Sequence, residues 1–246
     1  MAVILAPPAA WPSDRPVTSR YTRLVIKNLT RGLAAISLAL ASLTAAAPAH
    51  AAAPDPSVLP LGEAITLLPL GAESREGYTR EAFKHWNSGA NPTDGCNTRN
   101  EVLLAEAVTP PTVGSRCALT GGSWWSYYDN TIVTAASNLD IDHMVPLAEA
   151  WDSGASAWTP ERREAYANDL GQSTSLIAVT AGSNRSKSDQ DPAEWLPPAP
   201  EAVCRYATEW TATKLRWGLT IDTAEQIALQ ALAVSCPTST VVYEPA

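Results

Sequence analysis

One segment concentrates groups able to do acid–base and metal chemistry: Leu139-Asp140-Ile141-Asp142-His143-Met144-Val145-Pro146. Two carboxylates and an imidazole crowd the end of a short apolar run. Side chains alternate along a strand, so Asp140 and Asp142 share a face and His143 points to the other. A distortion at the strand end, helped by Pro146, would bring His143 round to the carboxylates. Downstream of a second apolar run, Ser175 to Thr180, comes Asn184-Arg185-Ser186-Lys187-Ser188-Asp189. It gathers an amide, two cations and hydroxyls with no apolar reason to be together.

These residue types suit hydrolysis of a phosphodiester. An imidazole titrates near neutral pH, which fits His143 as the base that activates water. Mg²⁺ prefers oxygen ligands and keeps several waters, so one carboxylate and one amide oxygen suffice, as Asp142 and Asn184 offer. Mn²⁺ is the obvious substitute. Arg185 and Lys187 are suited to phosphate contact. Asp140 reads either as a ligand or as a group supporting one.

Asp-x-Asp-His-x-Val-Pro, followed after a strand by Asn-Arg-x-Lys-Ser-Asp, resembles the His-Asn-His (HNH) endonuclease motif. The wider stretch from Tyr78 to Leu232 is similar to secreted HNH proteins related to the C-terminal domain of GmrSD-type restriction enzymes. The resemblance implies an α+β chain with a ββα-metal core flanked by helices at both ends. It implies Asp142 and Asn184 as metal ligands, His143 as general base and Lys187 as a further catalytic group. The implied substrate is DNA, or RNA, cut to 5′-phosphate and 3′-hydroxyl ends. One position departs from the pattern. The middle Asn that orients the base falls near Ser175, and Asn168 would have to substitute from another direction.

The elements that must hold these groups are legible in outline. Leu139–Val145 and Ser175–Thr180 read as strands, and 182–188 as a short helix or turn. Thr159-Pro160 caps a helix to about Asn168. Glu201–Trp217 reads as a longer helix closed by Gly218. Asp222 with Glu225 opens another, to about Val234. Thr98 with Glu101 opens one to about Ala107. Tyr78, Ala82, Phe83 and Trp86 have helical spacing, and Asp191-Pro192 begins a further short helix. His85 and the scattered tryptophans read as packing or surface, and Glu149 as a helix-cap or structural group at least as readily as a chemical one.

The chain has 246 residues and a formal net charge of -8. Arg20 to Arg31 is basic, Gly32 to Ala47 is apolar, and Ala49-His50-Ala51 is a small-residue cleavage pattern. Together they read as a secretory signal peptide over 1–51. Residues 52–70, rich in Pro and Ala, read as a tether, and 71–246 as the catalytic domain. Removing 1–51 takes away five basic residues and one acid. That leaves 12 basic against 24 acidic, net −12. Such a balance excludes extended binding to nucleic acid through a basic surface, but not a local, metal-bridged cut. No membrane partner after cleavage, no obligate protein partner and low sequence selectivity are expected.

Cys96, Cys117, Cys204 and Cys236 are an even set in an exported chain, which suggests two disulfides. Three pairings are open. Cys96–Cys117 with Cys204–Cys236 is favoured because each closes a local loop. The rival functional reading is a non-catalytic extracellular binding module retaining the fold, suggested by the missing middle Asn and the acidic charge.

Overall fold

The computed structural model describes residues 57–246. The signal-peptide reading of 1–51 and the start of the tether lie outside the described residues. The remainder of the tether is corrected. Ser57–Pro60 forms strand β1 and Leu61–Thr66 forms helix α1. Leu61, Ala64, Ile65 and Leu68 are all buried. Their i, i+3, i+4, i+7 spacing is an amphipathic stripe that the surrounding prolines obscured.

In chain order there follow α2 (Thr98–Ala105), β2 (Thr112–Val113), β3 (Leu119–Thr120), β4 (Trp124–Ser126), β5 (Thr131–Val133) and β6 (Leu139–His143). Next come α3 (Leu147–Asp152), α4 (Pro160–Ala167), β7 (Leu176–Thr180) and α5 (Ala181–Lys187). The chain closes with α6 (Val203–Trp217), α7 (Thr223–Ser235) and β8 (Thr240–Tyr243). The strands make four antiparallel pairs: β1 with β8, β2 with β3, β4 with β5, and β6 with β7. The fold is thus mixed helix and strand.

The β6–β7 pair is the scaffold of interest. Its register sets Asp140 opposite Val179, Asp142 opposite Ile177 and His143 opposite Leu176. Alternation sorts β7 between two cores. Leu176 and Ala178 join Trp124, Leu103 and Ile141, whereas Ile177 and Val179 join the larger cluster around Tyr128, Met144 and Trp210. Both faces of β7 are buried, which is why its sequence is a continuous apolar run.

Capping explains several boundaries. Thr159 accepts a hydrogen bond from the Arg162 amide ahead of Pro160, and Asp222 accepts one from the Glu225 amide. Helix α2 is capped by Asn97, one residue before the expected Thr98. Gly218, at φ +65°, ends α6 in the left-handed region that favours glycine. Both favoured disulfides are present, Cys96–Cys117 and Cys204–Cys236.

Two expected helices are absent. Only Arg80–Ala82 of the 74–86 stretch forms a helical turn. Gly77 at φ +73° and Trp86 at φ +60° break the run. After Asp191, whose carboxylate accepts from the Ala193 and Glu194 amides, the chain makes only a turn. Pro197 and Pro198 follow too soon for a helix.

Candidate active site

Helix α5 packs on β6 so that residues three apart on the helix meet residues two apart on the strand. Asn184 faces Asp140 and Lys187 faces Asp142. The start of α5 is fixed from the β4–β5 turn: Asp129 Oδ2 accepts from Thr180 Oγ1 at 2.5 Å and from Ser183 Oγ at 3.0 Å. A short polar helix thereby gains a defined position on an apolar strand.

Asp142, His143, Asn184 and Arg185 line one cavity of about 440 Å³. Tyr78 and Arg80 form part of its wall. The strand-end carboxylate and imidazole, expected on opposite faces, therefore open into the same space, because His143 is the last residue of β6.

His143 is 6% exposed, and its Nε2 lies 3.0 Å from the Ala167 carbonyl. A carbonyl only accepts, so Nε2 carries the proton and Nδ1 keeps its lone pair. Nδ1 has no hydrogen-bond partner among the described residues. Burial lowers the pKa of His143 to about 3, with the Ala167 bond opposing and the charges of Arg80 and Lys187 adding to the fall. The ring is neutral at pH 7, as a proton acceptor must be. Trp86 stacks against it at 5.5 Å between centroids, and Tyr166 lies at 6.4 Å.

The orienting carbonyl answers the question of the missing middle Asn. Ser175, at that place on the second strand, donates to Asp169 instead. The contact to His143 comes from α4, and Asn168 fixes it indirectly. The Asn168 Oδ1 accepts from the Asn87 amide and Thr98 Oγ1, while its Nδ2 donates to the carbonyls of Lys84 and Glu164. Its amide clamps the end of α4 to the segment that carries Trp86.

Asp142 Oδ2 accepts from Tyr128 Oη at 2.6 Å and Lys187 Nζ at 2.7 Å. Lys187 Nζ also donates to the His143 carbonyl at 3.0 Å. Burial raises the pKa of Asp142 and lowers that of Lys187, and their contact opposes both shifts. Lys187 was expected to touch phosphate and act catalytically. Its side chain is 0% exposed, so that expectation is corrected: the ammonium holds Asp142 from beneath. Arg185 is different, with a side chain 77% exposed and only a 3.7 Å contact to Asp140.

The donor set has the chemistry a small divalent cation needs. Asp140 can only accept, so the group of Asn184 facing it at 3.3 Å is the NH₂. That leaves the Asn184 Oδ1 and the Asp142 Oδ1 without hydrogen bonds among the described residues. A carboxylate oxygen and an amide oxygen opening on a hydrated cavity fit Mg²⁺ well. Asp140 fits best as the support of Asn184. Carboxylates also gather around Lys214, which is buried between Glu149 and Glu225. There the ammonium already supplies the cation, and Glu149 pairs with it.

Sequence reasoning missed four features of the site: the Ala167 carbonyl, the wall formed by Tyr78 and Arg80, the stacking of Trp86 on His143, and the proximity of His85. The His85 ring lies 6.3 Å from that of His143. Only the aromatics of 78–86 carried any signal.

The family described as GmrSD restriction endonucleases, C-terminal domain, matches residues 112–232, which include Asp140 through Lys187. A protein of Arthroderma benhamiae (strain ATCC MYA-4681 / CBS 112371), described as an uncharacterized secreted protein, is 42% identical over 172 residues. The alignment covers 70% of this chain and 81% of that relative. No solved structure matches. The chain belongs to the same family as this secreted relative, and its 112–232 stretch matches the GmrSD C-terminal domain. It is itself secreted, in keeping with its two disulfides. Among the described residues no helix is long and apolar enough to cross a membrane.

Proposed function

We propose that the protein is a metal-dependent endonuclease of the HNH type, with β6, β7 and α5 as its ββα-metal core, that hydrolyses DNA phosphodiesters with low sequence selectivity. The observation that carries the reading is that His143, Asp142 and Asn184 line one cavity while His143 Nδ1, Asp142 Oδ1 and Asn184 Oδ1 make no hydrogen bond among the described residues.

Water entering the cavity gives a proton to His143 Nδ1 and attacks the phosphorus, and the bond from phosphorus to the 3′ oxygen breaks, that oxygen taking a proton from solvent as it leaves. The Ala167 carbonyl holds the ring by its Nε2–H and stabilises the imidazolium that forms. Asp142 and Asn184 would hold a single Mg²⁺-type ion, which when bound supplies positive charge to the phosphoryl and leaving oxygens. Tyr128 and Lys187 fix the carboxylate of Asp142, and Asp140 fixes the amide of Asn184. Arg185, exposed at the cavity, contacts the phosphate backbone. The products carry 5′-phosphate and 3′-hydroxyl ends.

The reading is tested with supercoiled plasmid and the metal varied. Nicking in Mg²⁺ or Mn²⁺, its loss in chelator and in Asn184→Ala, and nicks that a DNA ligase reseals directly are the expected results. Metal-independent nicking, or nicks that need end repair before sealing, would count against it.

A further inference from the structure

We infer that Arg80 is a phosphate-contacting residue of the same site, supplied from outside the stretch that matches the family. The inference rests on the nuclease reading above and adds a second anchor for the phosphodiester backbone.

Three observations carry it. First, Arg80 lines the cavity that holds Asp142, His143 and Asn184. Second, it is unspent. Among the described residues every Lys and Arg except Arg80 and Arg116 makes a side-chain hydrogen bond, an ion pair or a stacking contact with an aromatic ring. Arg116 lies on the Cys96–Cys117 disulfide loop and does not line the cavity. The exported chain has two acids for every base, so an exposed arginine has ample choice of carboxylates, and Arg80 takes none. Third, the local backbone places it there. Thr79 is extended, Arg80 opens a three-residue helical turn, and the buried Phe83 ends it. Phe83 packs on Trp151 and Tyr166, and Tyr166 lies beside His143. The turn is therefore anchored beside His143, and Arg80, exposed on it as Glu81 is, is the one that lines the cavity.

Arg185 comes from α5 and Arg80 from the segment before α2, so two cations of separate origin border one cavity. A guanidinium matches phosphate oxygens in a fixed fork, and its attraction needs no base recognition. This arrangement reconciles a strongly acidic chain with an anionic substrate. The cations are few, and they stand at the point of cleavage.

The test compares wild type, Arg80→Ala, Arg80→Lys and Arg116→Gln in steady-state plasmid nicking. Binding of a short DNA duplex to the same variants, built on His143→Ala, is measured across a salt series. Arg80→Ala is expected to raise KM about tenfold, the equivalent of one charge-assisted contact, with kcat changed less than about threefold. The slope of log affinity against log salt should fall by about 0.9, one phosphate contact. Arg80→Lys should recover part of both, and Arg116→Gln should match wild type. An Arg80→Ala protein with unchanged KM and salt slope would overturn the inference. An equal loss in Arg116→Gln would overturn it too, since the effect would then be one of overall charge. Failure of wild type to nick at all would instead overturn the nuclease reading itself.

Discussion

Replacing Asn168 with Ala should damage stability and catalysis together, although Asn168 touches no substrate. Its amide makes four hydrogen bonds, at 3.0 and 2.9 Å as acceptor and 2.9 and 2.8 Å as donor, tying 84–98 to the end of α4. Each such bond contributes about 0.5–1.5 kcal/mol, and the Lys84 and Glu164 carbonyls regain partners from water more easily than the Asn87 amide does. The expected loss is about 2–4 kcal/mol. For a domain of this size each kcal/mol lowers Tm by about 2–4 °C, so a fall near 6–12 °C is expected by circular dichroism. The neighbouring Ala167 carbonyl orients His143, so nicking measured well below the new Tm should drop at least about tenfold beyond the folded fraction. Asn168→Asp keeps the acceptor and loses both donors, and should behave no better than Ala. A Tm within about 2 °C of wild type, or full activity in the folded variant, would refute the clamp.

Lys187→Ala leaves the Asp142 carboxylate buried and unpaired, and should cost about 3–5 kcal/mol in urea unfolding. Pairing Lys187→Met with Asp142→Asn should recover part of that loss, and additivity of the two substitutions would contradict their coupling. Burial raises Glu106, which has no cationic partner among the described residues, to about 7. Its folded pKa exceeds its unfolded value, so its contribution to stability is full below about pH 4.5 and is lost as pH rises through 7. Glu106→Gln keeps the acceptor for the Ala178 amide and should gain up to about 2 kcal/mol at pH 8 with no change at pH 4. A gain at both pH values would refute the assignment. The Cys204–Cys236 bridge spans 32 residues, so its removal by Cys→Ser substitution at both positions should cost about 3–4 kcal/mol. An unchanged Tm would show that the bridge is dispensable.

The legible parts of this molecule were those governed by local pattern. The strand β6 ends at His143, shortly before Pro146, Thr159-Pro160 and Asp222 cap their helices, and Gly218 closes α6. Each is decided within a few residues. The pairing of β1 with β8 joins the two ends of the described chain, and neither four-residue strand carries a pattern strong enough to announce it. Lys187 read as a surface cation because lysine is costly to bury. Only the docking of α5 onto β6, with Tyr128 alongside, supplies the partners that make burial tolerable. The orienting group of His143 is a backbone carbonyl, and a carbonyl has no residue type to recognise. Arg80 and Trp86 sit on an irregular stretch whose helical spacing misled, since Gly77 and the positive φ of Trp86 prevent a helix there. Asp142, His143 and Asn184 were visible because their polar types and order stand out against the apolar runs on either side of them.

The central claim is that His143, held neutral and aimed by Ala167, activates water for phosphodiester cleavage beside a cation on Asp142 and Asn184. The most direct measurement sets wild type beside His143→Ala on supercoiled plasmid in Mg²⁺, with both proteins verified as folded. The account predicts nicking by wild type and a loss of at least about a hundredfold in the variant. Equal nicking by the two proteins would contradict it.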